Sequence, residues 1–330
     1  MISFQNKNIA IFRALQLGDM LCAIPAIRAL KTAYPDSRLT LIGLPWAASL
    51  VNRFPQYFDS FIHFPGYPGL PEQPYDDSKY QSFKEDMKAA AFDFILQMQG
   101  NGTIVNDMLQ ELNAGNVMGY TLNDKAFGNN AFLLYPNYGH EINRHLKLME
   151  HLGITSLGPD LEFPASALDE TELQQLQLPI KKNKYVCIHP GSRGAWRQWP
   201  TAHFAALGDL CANAGLVVVI TGTAAEAEIV ADVIAKMQCQ AINLAGKTSL
   251  GAIGKLIGEA SILIANCTGV SHIAAALKTP SVVISMDGEP ERWAPLNTDL
   301  HYTIDWTQNP DFDTVCSKTK ALLTNIRHAD

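Results

Sequence analysis

No stretch of the chain reaches about 18 consecutive apolar residues, the length needed to cross a bilayer as a helix, so no transmembrane segment is expected. The amino terminus, MISFQNKNIAIFRALQLGD, is not read as a secretory signal, because its apolar run is short and is interrupted by Arg13 and then Asp19. C-x-x-C spacing is absent. Cys22, Cys187, Cys211, Cys239, Cys267 and Cys316 stand far apart, which suggests neither a zinc site nor a disulfide framework. They read as small apolar fillers in a reducing compartment, with the cytoplasm as the expected location. Basic residues are outnumbered: 25 Lys and Arg against 32 Asp and Glu leave a net charge of −7. Such a chain is not expected to bind nucleic acid in bulk, which takes clustered cations, although a local pocket for one phosphate group is compatible with it. The phosphate-loop pattern G-x-x-x-x-G-K-[ST] and the dinucleotide fingerprint G-x-G-x-x-G are both missing, which argues against an NTPase and a dehydrogenase.

The chain has 330 residues, 47% hydrophobic and 17% charged, enough for a sizeable core. At about 100–200 residues per domain, two domains are expected. Strand and helix patterns alternate along it. NIAIF (8–12) is too short for a helix and suits a buried parallel strand. A loop through Gly18 leads to a helix near 20–33, stopped by Pro35, and RLTLIG (38–43) is the next strand. Further strands are read at 92–97 and 116–120, with a helix at 140–152 ended by Gly153. Between them FPGYPGLPEQPYDDS (64–78) is too rich in Pro and Gly for helix or strand, and reads as a surface insertion or an acceptor-binding loop. A short helix is expected at 170–177 and a linker at 179–184. Strands at 185–189, 216–221, 241–244, 261–265 and 281–285 then alternate with helices at 200–214, 224–237, 249–259 and 270–277. The series predicts an α/β protein of two Rossmann-like domains, 1–178 and 179–330, whose parallel sheets face each other across a cleft and bind ligands at the carboxyl ends of their strands.

Four places carry candidate chemistry. Asp19, after Gly18, comes after the first strand and is either a helix cap or a carboxylate acting as general base on a hydroxyl. Arg13, just past the same strand, has the fork to hold an anionic acceptor group. In HPGSRGAWRQWP (189–200) glycines let backbone N–H groups approach a phosphate, Ser192 adds a hydroxyl, and Arg193 and Arg197 add positive charge; Trp199 is read as core. In ANCTGVSH (265–272) a strand gives way to a helix whose amino end attracts anions. Thr268 there either bonds a phosphate or caps the helix, and Cys267, with no base beside it in sequence, is read as inert. Glu226, after a later strand, is placed to take ribose hydroxyls or to complement a helix dipole.

These segments occur together and in order. IFRALQLGDMLCAIPAIRALKTAYPDSRLTLIG, FDFILQMQGN, HEINRHLKLMEHLGI, HPGSRGAWRQWP, NLAGKTSL and NCTGVSHIAAALKTPSVVI give a chain that resembles, over nearly its whole length, glycosyltransferase family 9, the heptosyltransferases. The resemblance implies a GT-B type fold and inverting transfer of a heptose from an ADP-heptose donor to a sugar hydroxyl, typically of the lipopolysaccharide core, with no metal and no cofactor beyond the donor. It implies that Asp19 is the catalytic base and that the phosphate loop falls on Ser192 and Arg193. Arg197 stands in place of the family's lysine. Glu226 is implied at the ribose, Thr248 at the adenine, and Thr268, Gly269 and His272 at the phosphates. Cys267 replaces a usual aspartate on the donor side. Arg13, Gly18 and Gln99 are placed on the acceptor side, where the family's basic residue after Gln99-Gly100 is missing. The partners implied are a nucleotide sugar and a glycan or lipid-linked sugar, the latter bringing the chain to the cytoplasmic face of the inner membrane as a peripheral contact. Two other readings stay open: a GT-B enzyme using a different nucleotide sugar, and a non-catalytic nucleotide- or glycan-binding protein.

Overall fold

The short apolar runs form central strands because both of their faces are covered. In the computed structural model, which describes residues 2–123 and 131–327, Ile9, Ala10, Ile11 and Phe12 of β1 (Asn8–Phe12) are wholly inaccessible to solvent. Burying one such large apolar side chain contributes about 1.5–3 kcal/mol. The chain divides into two compact units, Met1–Asp160 and Leu161–Asp330.

In the first unit β1 leads through α1 (Leu17–Ala33) to β2 (Arg38–Gly43), then α2 (Ala47–Arg53), β3 (Ser60–His63), α3 (Asp77–Ala90) and β4 (Phe94–Gln97). It continues with α4 (Val105–Glu111), β5 (Asn116–Thr121), β6 (Phe132–Leu134) and α5 (Glu141–His151). All strand pairs are parallel, in the order β3-β2-β1-β4-β5-β6. This is the doubly wound order, whose connections reverse direction between β1 and β4, leaving a crevice at the carboxyl ends of those two strands. The Pro/Gly-rich segment after β3 runs to Asp76, whose side chain caps α3 by accepting from Lys79 N.

The second unit repeats the plan. It comprises α6 (Ala167–Gln175), β7 (Tyr185–His189), α7 (Thr201–Asn213), β8 (Val217–Ile220), α8 (Ala227–Lys236) and β9 (Ala241–Asn243). After these come α9 (Leu250–Glu259), β10 (Ile262–Asn266), α10 (Gly269–Leu277), β11 (Ser281–Ser285), α11 (Pro290–Trp293), β12 (His301–Asp305) and α12 (Phe312–Arg327). Its parallel sheet has the order β12-β11-β10-β7-β8-β9, so the reversal falls between β7 and β10. The core gathers Val186, Ile188, Ile262 and Ile264 of the central strands with Trp199, Phe204 and Leu207. The helix expected at 170–177 runs from 167 to 175. It lies in this unit, where Lys255 of α9 reaches Glu170 at 2.6 Å.

Candidate active site

Both reversal points are where the sequence motifs lie. In the first unit α1 begins at Leu17, and the residue at its cap position is Gln16, whose side chain makes no capping bond. Asp19 is therefore not the cap. It is the third residue of the helix, directly after Gly18, in the first turn where the helix dipole favours a negative charge. Its side chain is one-quarter exposed (25%), whereas Arg13 beside it is fully buried.

Arg13 binds inward. Its Nε donates to the Asp19 carbonyl at 2.9 Å, Nη1 donates to the Met98 carbonyl, and Nη2 donates to Glu141 Oε1 at 3.1 Å. Nη2 also lies 3.8 Å from Asp19 Oδ1. The sequence placed Arg13 toward an anionic acceptor group; here each of its three nitrogens donates to a protein group, among them the Asp19 carbonyl. Gln99 is likewise buried, and its Oε1 accepts from Ala14 N at 2.7 Å, which ties the loop after β4 to the loop after β1. Glu141, at the start of α5, was not singled out by the sequence.

In the second unit the loops after β7 and β10 are joined by Asn266. Its Nδ2 donates to the Pro190 carbonyl at 2.7 Å and its Oδ1 accepts from Trp199 N at 3.0 Å. The Ser192 hydroxyl is buried and has no hydrogen-bond partner among the described residues, in the loop read as a phosphate cradle. Arg193 is exposed. Arg197 Nη2 donates to the Cys267 carbonyl at 3.1 Å and pairs with Asp287 Oδ2 at 2.5 Å. Asp287, two residues past the end of β11, is a partner the sequence did not reveal.

Thr268 occupies the cap position of α10, yet its side chain makes no capping bond; its Oγ1 donates to the Asn266 carbonyl at 3.3 Å. The backbone N–H groups of that helix's first turn, from Gly269 on, are thus not closed off by the hydroxyl. His272 is buried in the same helix, its ring edge-on to Trp293. Cys267 is buried, and burial, with Asp287 adding to it, pushes its thiol up to about 12, so it stays protonated and is no nucleophile. Thr248 is half-buried just before Ser249, the cap of α9.

Glu226 is held in a local capping box, its Oε2 accepting from Thr223 N at 2.7 Å and from Thr223 Oγ1 at 2.9 Å. The same carboxylate lies against Gly191 of the phosphate loop, where a Cβ would fall 2.2 Å from it. His189, which the sequence offered only as a loop boundary, sits beneath: its Nδ1 is 3.0 Å from Thr221 Oγ1 and its Nε2 is 3.8 Å from Glu226 Oε2. Burial lowers its proton affinity. Ser192, Arg193, Arg197, Glu226, Thr248, Cys267, Thr268, Gly269 and His272 thus lie on or beside the loops that leave the carboxyl ends of β7, β8, β9 and β10. Among the described residues no three His, Cys, Asp or Glu side chains gather into a metal-holding group.

Comparison with known proteins bears on the fold and the family. Lipopolysaccharide heptosyltransferase 3 of Escherichia coli (strain K12) is 27% identical over 307 residues, 88% of this chain and 83% of that protein. The crystal structure of a glycosyl transferase family 9 protein from Veillonella parvula superposes with a TM-score of 0.80 at 17% identity, covering 98% of this chain and 99% of that one. E. coli ADP-heptose lipopolysaccharide heptosyltransferase II superposes with a TM-score of 0.77 at 20% identity, covering 97% and 99%. The pair of doubly wound units is thus a fold of the GT-B type. A family model for glycosyltransferase family 9 (heptosyltransferase) matches residues 80–322, and the chain belongs to that family.

Proposed function

We propose that this chain transfers a heptose, with inversion, from ADP-heptose to a sugar hydroxyl of a lipopolysaccharide-core or related glycan. The observation that carries the donor half is the buried Ser192 hydroxyl without a partner, in a glycine-bearing loop stapled by Asn266 to the segment that opens α10. A buried polar atom left unsatisfied is a cost that a bound phosphate oxygen would remove. Arg193, Arg197, the Thr268–Gly269 amino end of α10 and His272 supply donors and positive potential for the diphosphate. Glu226 takes the ribose and Thr248 lines the adenine.

On the acceptor side Asp19 removes the hydroxyl proton as the oxygen attacks the anomeric carbon. The bond to the diphosphate breaks with oxocarbenium character at the sugar, as in glycoside chemistry generally. Negative charge grows on the leaving diphosphate and is met by fixed donors, an electrostatic preorganisation. The proposed reaction draws on no metal ion and no cofactor besides the donor. A lipid-linked acceptor would place the enzyme at the cytoplasmic face of the inner membrane; no helix among the described residues is long and apolar enough to cross it.

The test is Asp19→Asn, assayed for heptosyl transfer with a chelator present. The wild-type chain is expected to turn over. The variant is expected to lose about 10²–10⁴-fold in kcat, the usual contribution of a general base, while binding ADP-heptose as before. Near-wild-type transfer by a folded variant would remove Asp19 from the mechanism. Binding of UDP-sugars in preference to ADP-sugars would overturn the donor assignment.

A further inference from the structure

One nitrogen of a buried guanidinium faces two carboxylates. Arg13 Nη2 stands 3.1 Å from Glu141 Oε1 and 3.8 Å from Asp19 Oδ1. Arg13 and Glu141 are both buried, whereas Asp19 opens partly to solvent, so the fields between them are weakly screened. A buried set of charges is weak evidence for stability, because apolar replacements often fold as well.

We infer that Glu141 is a positioning residue that draws the Arg13 guanidinium away from Asp19 and so preserves the basicity of the Asp19 carboxylate. The inference rests on Asp19 being the base proposed above. An arginine beside an aspartate typically lowers the carboxyl's proton affinity by about 1–3 pH units. A carboxylate depressed that far is a poor acceptor for a hydroxyl proton. Glu141 is the nearer carboxylate and takes the Nη2 hydrogen bond, while Arg13 is anchored through Nε to the Asp19 backbone and stands 3.8 Å from its side chain.

The groups around the pair fit this role. Arg144 Nη1 lies 3.4 Å from the other oxygen of Glu141 and favours its ionised form; Arg144 is itself held by the Tyr135 hydroxyl at 3.1 Å. His145 Nε2 is 3.4 Å from Glu141 Oε1, and its Nδ1 is 3.1 Å from the Tyr120 hydroxyl. Burial, then the positive charge of Arg13, holds His145 to about 4, so it is neutral at pH 7 and adds no cation to the two arginines. Burial keeps Tyr120 protonated. His140 serves as the cap of α5, its Nδ1 accepting from Ile142 N at 3.2 Å. Two guanidinium groups therefore meet two carboxylates, with Glu141 between the arginines and Asp19 at the open end.

The experiment tracks the Asp19 carboxyl by ¹³C NMR titration of the full chain without donor, its resonance assigned with Asp19→Asn. Glu141→Gln is expected to move the Asp19 midpoint down by about one pH unit, since Arg13 then acts on Asp19 uncompensated. The acid limb of kcat should move downward with it, with a lower plateau and an unchanged KM for the donor. Glu141→Asp keeps the charge but withdraws it, and carries the test if Glu141→Gln does not fold; its shift should have the same sign and be smaller. A midpoint that stays in place or rises in a folded variant overturns the inference, whatever happens to stability. The titration needs no turnover. A moved midpoint in a chain that transfers nothing leaves this coupling standing and sinks the transferase reading, while transfer with an unmoved midpoint does the reverse.

Discussion

At position 191 the space where a side chain would lie is filled by the Glu226 carboxylate, and a Cβ there would sit 2.2 Å from two of its atoms. The end of a glutamate side chain can swing away, so Gly191→Ala should fold but expel Glu226 from beside the phosphate loop. The capping bonds from Thr223 would break with it. We expect a loss of about 1.5–3 kcal/mol in donor affinity, roughly ten- to 150-fold, on the scale of losing a hydrogen bond to a charged group. Calorimetric titration with ADP-heptose checks it, and unchanged affinity would remove Glu226 from the ribose. Residues of this kind divide by how much of their role the chain could reveal. Cys267 was legible as inert from the lack of a base beside it in sequence, whereas Asp19 was legible only as a carboxylate near a helix start, and the structure places it in the first turn of α1 rather than at the cap. Arg13 was legible as a charge beside the site but not in its direction, because its principal partner, Glu141, is 128 residues away. Asp287, the partner of Arg197, was hidden for the same reason, 90 residues off.

Between residues and units stands the junction of β7 and β10. Asn266 ends β10, is 1% exposed, and serves three backbone groups of the phosphate loop: the carbonyls of Pro190 and Gly191 and the N–H of Trp199. Asn266→Ala would leave all three short of a partner in a buried place, at a cost of about 2–4 kcal/mol if water does not enter. Urea unfolding should show the loss, and donor affinity should fall with it, because the loop holding Ser192 would no longer be fixed to the start of α10. Stability within about 0.5 kcal/mol of wild type would show that the staple is not what fixes the loop. At this scale the sequence was clearest where strands are central. NIAIF, RLTLIG, YVCIH and SVVIS are runs buried on both faces, and their bounds match β1, β2, β7 and β11. The edge strands β3, β6 and β12 went unread. SFIH is nowhere fully buried, FLL is three residues long, and HYTID buries only its first and fourth positions, so none carries the apolar continuity of a covered strand. The boundary drawn at 178 missed for a tertiary reason. What assigns α6 to the second unit is its packing on α9, through Glu170 to Lys255 and Glu172 to Ser249, which no local pattern announces.

Over the whole molecule the buried histidines make stability depend on pH in a way that the net charge of −7 does not suggest. One lies in each unit with a strong displacement: His145 and His301 are both held to about 4 by burial, against an ordinary value of 6.5. His301 is neutral beside Ser281, its Nδ1 2.8 Å from the hydroxyl. His189 and His203 are lowered in the same direction and for the same reason. Proton counting gives the sign. Below pH 6.5 the unfolded chain takes up protons at these rings while the folded chain does not, so stability is complete above that pH and declines as pH falls toward about 4. Each fully displaced histidine contributes a slope of up to about 1.4 kcal/mol per pH unit inside the window. Carboxylates held below their usual range, such as Asp93 with its bonds from Asn8 N and Lys7, lose their contribution only at lower pH, near and below 3.8. The interval between about pH 6 and 5 therefore isolates the histidines. Urea unfolding across it should show stability falling in both units, and His301→Gln should reduce the slope of the second unit, where His189 and His203 remain, while leaving that of the first. A stability that stays level from pH 6 to 5 would mean that water or a local opening reaches these rings and lets them titrate in the folded chain as they do in the unfolded one.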